Sequence, residues 1–496
     1  VPFEGICLTD TFQMYESDDL ISHYMPDNSE RRKRQKALDI RVVIGNPPYS
    51  IGQGNQNDNN QNVGYPSLDR RIEETYAARS NASLLRGLYD SYIRAIRWGS
   101  DRLGEAGVMA FVTNAGWVDG NSADGLRACL KDEFSSIFVF HLRGNQRTSG
   151  ELSRREGGKI FGSGSRAPIA ITVLVKNQNA AEHGRIWLHD IGDYLSQQEK
   201  LTIIRDFGSI NGIAATSGWT QITPNEQNDW INQRDNSFAE FISIGDKKSG
   251  GDAIFEDYSL GIVTNRDAWC YNSSQQVVSQ NVESMIDFYN SQVSLFSSKF
   301  GHLDKKVKAN QVDPFVDNDP TKISWTRGLK QALARERKFE FEPDSLVRSI
   351  YRPFQKQSLY FNKDMNEMVL KMPRIFPKNG AKNRAIMVKG NWRGDGHFAT
   401  MIDSVPCLQP DGGAQCFPIK LYQVIEDSAE DDLFGNGTSI GSVKEGDAIT
   451  EAGLKHFQDA YPGEEITKED LFYYVYGILH SEDYRAKYAD NLSKEL

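Results

Sequence analysis

The first part of the chain alternates short apolar runs with segments in which apolar residues recur every three or four positions. The short runs predict strands, and the periodic segments predict helices. The predicted strands are 41–45, 107–113, 137–142 and 169–175, and the predicted helices are 84–103 and 123–134. Strands that are apolar on both faces and alternate with helices are typical of an α/β protein with a doubly wound sheet covered on both sides. We therefore predict a partial doubly wound, Rossmann-like sheet.

The alternation fades after about residue 190, where aromatic and Asn/Gly-rich segments replace it. We therefore predict two domains: residues 1–195, which hold the doubly wound sheet, and residues 196–496, which form a mixed α+β domain. Near the end of the chain, Leu471, Val475 and Ile478 are spaced along one face of a helix. This spacing predicts that 467–496 is helical.

The composition excludes several classes of protein. Of the 496 residues, 39% are hydrophobic and 25% are charged, which is ordinary for a globular protein. The longest apolar run, 167–175, is about half as long as the roughly 20 residues that cross a bilayer, so we expect no membrane span. The five cysteines form no C-x-x-C pair and the eight histidines follow no ligand spacing. We expect no bound metal and a reducing, cytoplasmic setting.

Charge is distributed unevenly along a chain whose net charge is -10. Residues 301–394 contain 20 Lys and Arg against 10 Asp and Glu, whereas residues 423–496 contain 6 against 17. A basic block of this kind permits a nucleic-acid-binding face on a protein that is acidic as a whole. The alternative is that both segments are ordinary solvated surfaces.

The sequence Asn46-Pro47-Pro48-Tyr49 directly follows the first predicted strand. Ligands of open α/β sheets bind beyond the carboxyl ends of the strands, so this is a position where chemistry is expected. The amide oxygen of Asn46 and the carbonyl of Pro47 can accept the hydrogens of an adenine amino group, which frees its lone pair to attack a methyl group. The two prolines fix φ and hold the carbonyl in advance, and the ring of Tyr49 can stack on a flipped base. The alternative is an Asn-Pro turn without chemistry.

This motif resembles that of the amino-group DNA methyltransferases, and further strings make the resemblance more specific. Together they resemble the methyltransferase and target-recognition portion of the Type ISP restriction-modification enzymes, single polypeptides that also carry a nuclease and a helicase. The resemblance extends over almost the whole chain. The strings are 145–151 (NQRTSGE), 153–159 (SRREGGK), 161–168 (FGSGSRAP), 264–269 (TNRDAW), 351–354 (YRPF) and 474–481 (YVYGILHS).

The resemblance implies a function for each domain. Residues 1–195 would be the C-terminal part of a DNA adenine methyltransferase domain, and residues 196–496 a DNA target-recognition domain. The expected reaction transfers a methyl group from S-adenosylmethionine to N6 of a flipped adenine in double-stranded DNA. Phe161 corresponds to the second stacking aromatic of the family, opposite Tyr49, and Asp10 to the acidic residue that binds the adenine of the cofactor. Their alternatives are a core aromatic at Phe161 and a helix N-cap at Asp10.

Two sets of residues are candidate DNA contacts. The glycine-rich loop 143–166, beside the proposed base-flipping site, carries six basic residues that suit phosphate contacts. In the second domain, Asn and Arg side chains suit base edges, and basic residues among aromatics suit the DNA backbone. The alternative for the loop 143–166 is an ordinary solvated loop. The alternatives in the second domain are a turn at Asn265 and a packed corner at Pro353. The candidates are Arg143, Arg147, Arg154, Arg155, Lys159, Arg166, Asn265, Arg266, Arg352 and Lys356.

Some expected parts of such an enzyme are missing from the sequence. The glycine-rich cofactor loop and the acidic residue for the cofactor ribose should precede Asp10 and do not. Residues 162–164 (Gly-Ser-Gly) are no substitute, because they precede a predicted strand instead of following one. No phosphate-binding loop or nuclease cluster is found. We therefore expect the chain to be part of a longer polypeptide that also holds the nuclease and helicase domains.

Three functional interpretations remain open from the sequence. The chain is the active portion of an adenine-N6 methyltransferase, or it is a DNA target-recognition module that does not methylate by itself. The third interpretation, methylation of RNA or protein, fits the Asn-Pro-Pro-Tyr motif but not the resemblance of the second domain to a DNA-recognition domain.

Overall fold

The computed structural model describes residues 5–13, 25–49, 64–82, 84–148, 150–162, 166–246, 250–377, 380, 382–389, 398–424 and 443–495. The chain divides into two compact units, Val1–Arg234 and Asp235–Leu496. This division comes later in the chain than the predicted boundary at 195/196. Residues after 195 contribute two helices and an edge strand to the first unit.

The first unit is built on a six-stranded sheet with the strand order β1-β2-β4-β3-β5-β6. Strands β1, β2, β3 and β5 run in one direction, whereas β4 and β6 run in the other. The apolar run at 169–175 could not indicate that β4 is antiparallel, because buried strands of either direction are apolar throughout. The strands are β1 (Ile40–Gly45), β2 (Leu103–Asn114), β3 (Ser136–His141), β4 (Ile169–Asn177), β5 (Arg185–Asp190) and β6 (Thr220–Ile222).

Apolar clusters cover both faces of this sheet, as the doubly wound architecture requires. One cluster includes Leu68, Leu126 and Ile137, and the other includes Phe140, Leu142 and Ile169. The predicted helix at 84–103 begins only at Ser91, because a 3-10 turn precedes it. The helices are α1 (Pro26–Ala37), α2 (Pro66–Glu74), α3 (Ser91–Arg102), α4 (Gly116–Asp119), α5 (Asp124–Glu133), α6 (Gly150–Glu156), α7 (Gln197–Phe207) and α8 (Ile210–Ala215).

A buried ion pair fastens the last segment of the first unit to its core. The guanidinium of Arg127 in α5 lies 3.5 Å from a carboxylate oxygen of Asp229, and both side chains are fully buried. Asp229 also pairs with Arg234 at 2.8 Å, and the indole rings of Trp117 and Trp230 meet edge to face. These contacts explain why the first unit extends to residue 234.

The second unit combines several small sheets with helices. Its strands are β7 (Ser243–Gly245), β8 (Ala253–Phe255), β9 (Ser259–Leu260), β10 (Tyr271–Asn272), β11 (Leu346–Arg352), β12 (Gln355–Tyr360), β13 (Ala385–Lys389), β14 (Ala399–Ile402), β15 (Val405–Pro406), β16 (Ala414–Pro418), β17 (Lys420–Val424) and β18 (Val443–Asp447). The two four-stranded sheets have the orders β10-β12-β11-β15 and β14-β13-β16-β9. The other sheets are the pairs β17-β18 and β7-β8.

The helices of the second unit are α9 (Asp267–Cys270), α10 (Gln275–Phe300), α11 (Lys305–Phe315), α12 (Arg327–Ala334), α13 (Met372–Ile375), α14 (Glu451–Ala460), α15 (Lys468–His480), α16 (Glu482–Lys487) and α17 (Ala489–Leu492). The predicted terminal helix is therefore three helices. The first ends at Ser481, whose backbone is extended and whose hydroxyl accepts the amide hydrogen of Tyr484 to start the next. Among the described residues, no helix has both the length and the apolar character needed to cross a membrane.

Candidate active site at the end of β1

The Asn-Pro-Pro-Tyr segment lies directly beyond the carboxyl end of β1, at the edge of the six-stranded sheet. β1 pairs in parallel with β2, and its last residue, Gly45, is opposite Phe111. A Cβ atom at Gly45 would come within 3.2 Å of the Phe111 ring, so a small residue suits this position. Asn46 and Pro48 are exposed, whereas Pro47 and Tyr49 are half-buried. The segment thus leaves the strand with the Asn46 side chain open to a ligand.

Tyr49 is held between the sheet and helix α3. Its hydroxyl lies 3.3 Å from Oδ1 of Asn46 and 3.5 Å from the carbonyl oxygen of Val112, and it can donate to one of them at a time. Its ring meets Tyr92 edge to face at 6.0 Å. Burial, and secondly the charge of Asp90, raises the pKa of Tyr49 to about 12. The phenol is therefore neutral at ordinary pH, and its ring is fixed in orientation.

A cavity of about 660 Å³ adjoins the Asn-Pro-Pro segment. Its volume lies within the range of about 300–1,000 Å³ that is usual for small-molecule sites. Backbone and side chains from the start of the chain, from β1 and from α3 line it. The lining includes Cys7, Thr9, Thr11, Phe12, Asn46, Pro47, Pro48, Trp98 and Arg102.

Asp10 lies between two of the residues that line this cavity, Thr9 and Thr11. Its carboxylate accepts the hydroxyl hydrogen of Tyr65 at 2.7 Å and the amide hydrogen of Phe12 at 3.0 Å. Burial and the hydrogen bond to Asp10 raise the pKa of Tyr65. The aspartate is thus oriented by a tyrosine 55 positions away in the chain.

Phe161 lies on the segment that connects β3 to β4. The structure describes this segment except for Ser149 and residues 163–165. It is 36% exposed and therefore not the core aromatic of the alternative interpretation. Its neighbour Ile160 packs against the apolar cluster of Phe140, Leu142 and Ile169, and Tyr49 packs against the same cluster. Tyr49 and the neighbour of Phe161 thus pack against the same apolar cluster, while the Phe161 ring itself is exposed.

Most basic residues of the 143–166 loop have partners in this structure. Arg143 pairs with Asp190 at 2.7 Å and also with Asp193, which joins the ends of β3 and β5. Arg155 pairs with Asp193, Arg154 pairs with Glu151, and Arg166 donates to the carbonyl oxygen of Gln146. Lys159 is half-buried.

Arg147 is an exposed residue of the same loop. Burial raises the pKa of Tyr92, and the positive charge of Arg147 partly opposes this rise. Tyr92 also contacts the Tyr49 ring, so the charge of Arg147 acts on a residue that borders the Asn-Pro-Pro-Tyr segment. Arg143 is thus engaged in ion pairs that join two strands, whereas Arg147 is exposed to solvent.

In the second unit, the structure separates the four candidate DNA contacts into exposed and buried residues. Asn265 is exposed with φ +52°, as expected for a turn. Arg266 is only 3% exposed and donates to the hydroxyl of Thr326, so it is placed as an interior residue and not as a reader of base edges. Arg352 and Lys356 are exposed at the two sides of the β11–β12 turn, where Lys356 pairs with Asp403 at 2.6 Å.

Three residues of this arrangement were not identified from the sequence. Tyr92 and Tyr65 orient Tyr49 and Asp10. In the sequence Tyr92 is merely an apolar position of the predicted helix 84–103, and Tyr65 belongs to no predicted element. Lys200 in α7 is fully buried, and its ammonium donates to the carbonyl oxygens of Glu156 and Gly158 in the 143–166 loop. A single lysine in a charged helix gives no signal of such a role.

Comparison with known proteins identifies the family. Residues 253–496 match the model of the Type ISP C-terminal specificity domain. The whole chain matches the structure of a nuclease-deletion mutant of the Type ISP restriction-modification enzyme LlaGI in complex with a DNA substrate mimic, with a TM-score of 0.80 and 42% sequence identity. The chain belongs to the Type ISP restriction-modification family.

Two further structures match this Type ISP chain along its length. The ATP-dependent Type ISP enzyme LlaBIII bound to DNA has 35% identity and a TM-score of 0.82 over 100% of the chain. A DrdV–DNA complex has 34% identity and a TM-score of 0.79 over 99% of the chain. The Type ISP chain spans 43%, 30% and 45% of the LlaGI, LlaBIII and DrdV chains, respectively. No curated protein sequence matched it.

Proposed function

We propose that this chain is the catalytic and recognition portion of a DNA methyltransferase that modifies N6 of adenine at specific sites. The observation that carries the proposal is the Asn46–Tyr49 segment, which follows the edge strand β1 and borders a ligand-sized cavity. The match of 253–496 to the Type ISP C-terminal specificity domain supports DNA as the substrate, because the similar enzymes LlaGI and LlaBIII were solved with a DNA substrate mimic and with DNA, respectively.

Two acceptors in the segment would activate the adenine amino group. Its lone pair is delocalised into the ring, so the amine is a weak nucleophile. Hydrogen bonds from N6 to Oδ1 of Asn46 and to the carbonyl oxygen of Pro47 favour a tetrahedral nitrogen, whose lone pair would form the new N–C bond as the bond between the methyl group and the cofactor sulfur breaks. The extra proton on nitrogen then leaves to solvent, since a neutral amide and a carbonyl are acceptors and not bases.

The stacking surface would come from Tyr49 and Phe161. The hydroxyl of Tyr49 is already hydrogen-bonded, and its ring rests against Tyr92, so little side-chain freedom is lost when a base stacks on it. Phe161 is exposed and available for the opposite face of the base. A flipped base between two aromatic rings is a common solution in enzymes that act on DNA bases.

The residues that line the cavity beside β1 support S-adenosylmethionine as the cofactor, which would supply an electrophilic methyl group when bound. The cavity offers hydroxyl groups on Thr9 and Thr11 and an apolar face on Phe12. Asp10, between the two threonines, would accept hydrogen bonds from the amino group of the cofactor adenine, on lone pairs not used by Tyr65 and Phe12. The proposed full-length polypeptide also carries a nuclease domain and a helicase domain.

The test is the identity of the product. Full-length protein is incubated with double-stranded DNA and S-adenosylmethionine carrying a labelled methyl group, and the DNA is digested to nucleosides for mass spectrometry. We expect the label in N6-methyladenine and in no other nucleoside. Label in cytosine, in protein or in RNA would contradict the proposal.

The alternative is that these 496 residues recognise DNA but do not methylate it by themselves. The match of 253–496 to a specificity domain favours recognition as an activity of the chain alone. Titration of labelled S-adenosylmethionine into the 496-residue chain separates the two possibilities. Saturable binding supports a complete cofactor site, and DNA binding without cofactor binding supports the recognition module.

A further inference from the structure

The turn between β11 and β12 contains Phe354 at a position whose backbone geometry disfavours a bulky side chain. Arg352 pairs with Gln355 across the hairpin, so Pro353 and Phe354 are the two central residues of the turn. Phe354 has φ +61°. Proline followed by a residue with positive φ corresponds to a type II turn, which favours glycine or asparagine at the second position. A bulky side chain in this backbone region is an outlier.

The same residue is also exposed to an unusual degree. Phe354 is 95% exposed, the highest value among the large hydrophobic side chains of the described residues. Its ring therefore contributes no burial to the fold. A residue that opposes both the local backbone preference and the burial of apolar groups indicates a functional position.

Two cations accompany the ring. The guanidinium of Arg352 lies 4.2 Å from the centroid of the Tyr351 ring and donates to the carbonyl oxygen of Tyr351 at 2.8 Å. Lys356 is exposed on the next strand, and its partner Asp403 is also largely exposed. An ion pair in water contributes little stability, so a phosphate can replace the carboxylate of Asp403. The hairpin thus presents an apolar tip between two groups that suit a phosphate backbone.

We propose that Phe354 is a wedge that inserts between base pairs of the target duplex, while Arg352 and Lys356 contact phosphates beside it. Of the proposed function, this inference needs only the binding of double-stranded DNA. A two-stranded ribbon fits a DNA groove, and apolar side chains that enter a base step unstack and kink the duplex. The exposed ring and the strained turn are then explained by one role.

The test compares full-length wild-type protein with the Phe354→Gly variant. The probe is a duplex that the wild-type protein selects from a random-sequence pool. Glycine suits the positive φ, so we expect an unfolding temperature that is unchanged or higher. We expect the affinity for the selected duplex to fall about 5- to 150-fold, the usual effect of losing one aromatic–base stack. Because the ring is uncharged, the salt dependence of binding should stay the same.

Further variants and a fluorescent base make the result specific. With 2-aminopurine at successive positions of the duplex, wild-type protein and Phe354→Trp should increase fluorescence at one step, and Phe354→Gly should not. Lys356→Ala should instead reduce the salt slope by about one. Tyr461→Ala, which removes another exposed aromatic of the second unit, should leave binding unchanged.

The outcomes separate the wedge from the proposed function. Failure of the wild-type protein to select any duplex would overturn DNA recognition itself. Equal binding by wild-type protein and Phe354→Gly would show that the ring does not enter DNA. A fall in both unfolding temperature and affinity for Phe354→Gly would make Phe354 a structural residue and would also overturn the wedge.

Discussion

At the scale of single residues, Asn46 and Tyr49 combine two separable roles. The amide oxygen of Asn46 is the acceptor that would polarise the target amine, whereas Tyr49 offers a ring surface and, through its hydroxyl, a contact to Asn46 at 3.3 Å. If the ring matters for stacking and the hydroxyl only for orientation, removal of the hydroxyl alone should have a small effect. Substitutions at the two residues therefore distinguish amine activation from base stacking.

We expect Asn46→Ala in the full-length protein to reduce methyl transfer at least about 100-fold, because a group that acts in the transition state is lost. Its DNA affinity should stay within about twofold of wild type. Tyr49→Phe should keep most activity, and Tyr49→Ala should lose most of it. Single-turnover methylation and filter binding on the same duplex measure both quantities. Near-normal transfer by Asn46→Ala would remove Asn46 from the chemistry.

At the scale of elements, helix α7 supports the segment that carries Phe161. The ammonium of Lys200 donates to the carbonyl oxygens of Glu156 at 2.7 Å and Gly158 at 2.9 Å, and Gln197 donates to that of Ile160. A Cβ atom at Gly158 would lie 2.4 Å from the amide nitrogen of Gln197, so the loop and the start of the helix touch backbone to backbone. A capping box at Ser196 and Glu199 fixes this end of the helix.

We expect Lys200→Met to loosen the loop without unfolding the unit, because methionine keeps the apolar stem but donates no hydrogen bonds. Two carbonyl groups lose a charged donor, which should lower the local opening free energy by about 1–3 kcal/mol. Hydrogen exchange at 156–162 should then accelerate about 5- to 150-fold. Arg205→Met, an exposed change on the same helix, is the control. Unchanged exchange in Lys200→Met would show that the apolar contacts alone hold the loop.

At the scale of the whole molecule, both units bury tyrosines that must stay neutral. Burial raises the pKa of Tyr49 in the first unit and of Tyr484 in the second to about 12. Burial also raises the pKa of Tyr76, Tyr92 and Tyr271. Unfolded tyrosines ionise near pH 10, so the folded state binds more protons than the unfolded state between about pH 10 and 12.

We therefore expect the stability that comes from these phenols to be complete below about pH 10 and to fall as the pH rises toward 12. The urea midpoint should drop between about pH 10 and 12, and tyrosinate absorbance at about 295 nm should increase together with unfolding. The same titration of the urea-unfolded chain gives the reference near pH 10. Tyrosinate absorbance of the folded protein that rises with a midpoint near pH 10, as in the unfolded chain, would contradict the burial of these residues.

The sequence by itself determined the elements whose signals are local. Continuous apolar runs gave β1 and β4 nearly to the residue, and the Asn-Pro-Pro-Tyr segment was recognisable because it directly follows a strand. The family was also readable, since its strings are short and contiguous. Only the tertiary structure decided that β4 is antiparallel, that Arg266 is buried, that Tyr65 binds Asp10 and that Lys200 holds the Phe161 loop. The physical reason is that each of these depends on partners distant in sequence, whereas hydrophobic periodicity and turn chemistry report only on neighbours.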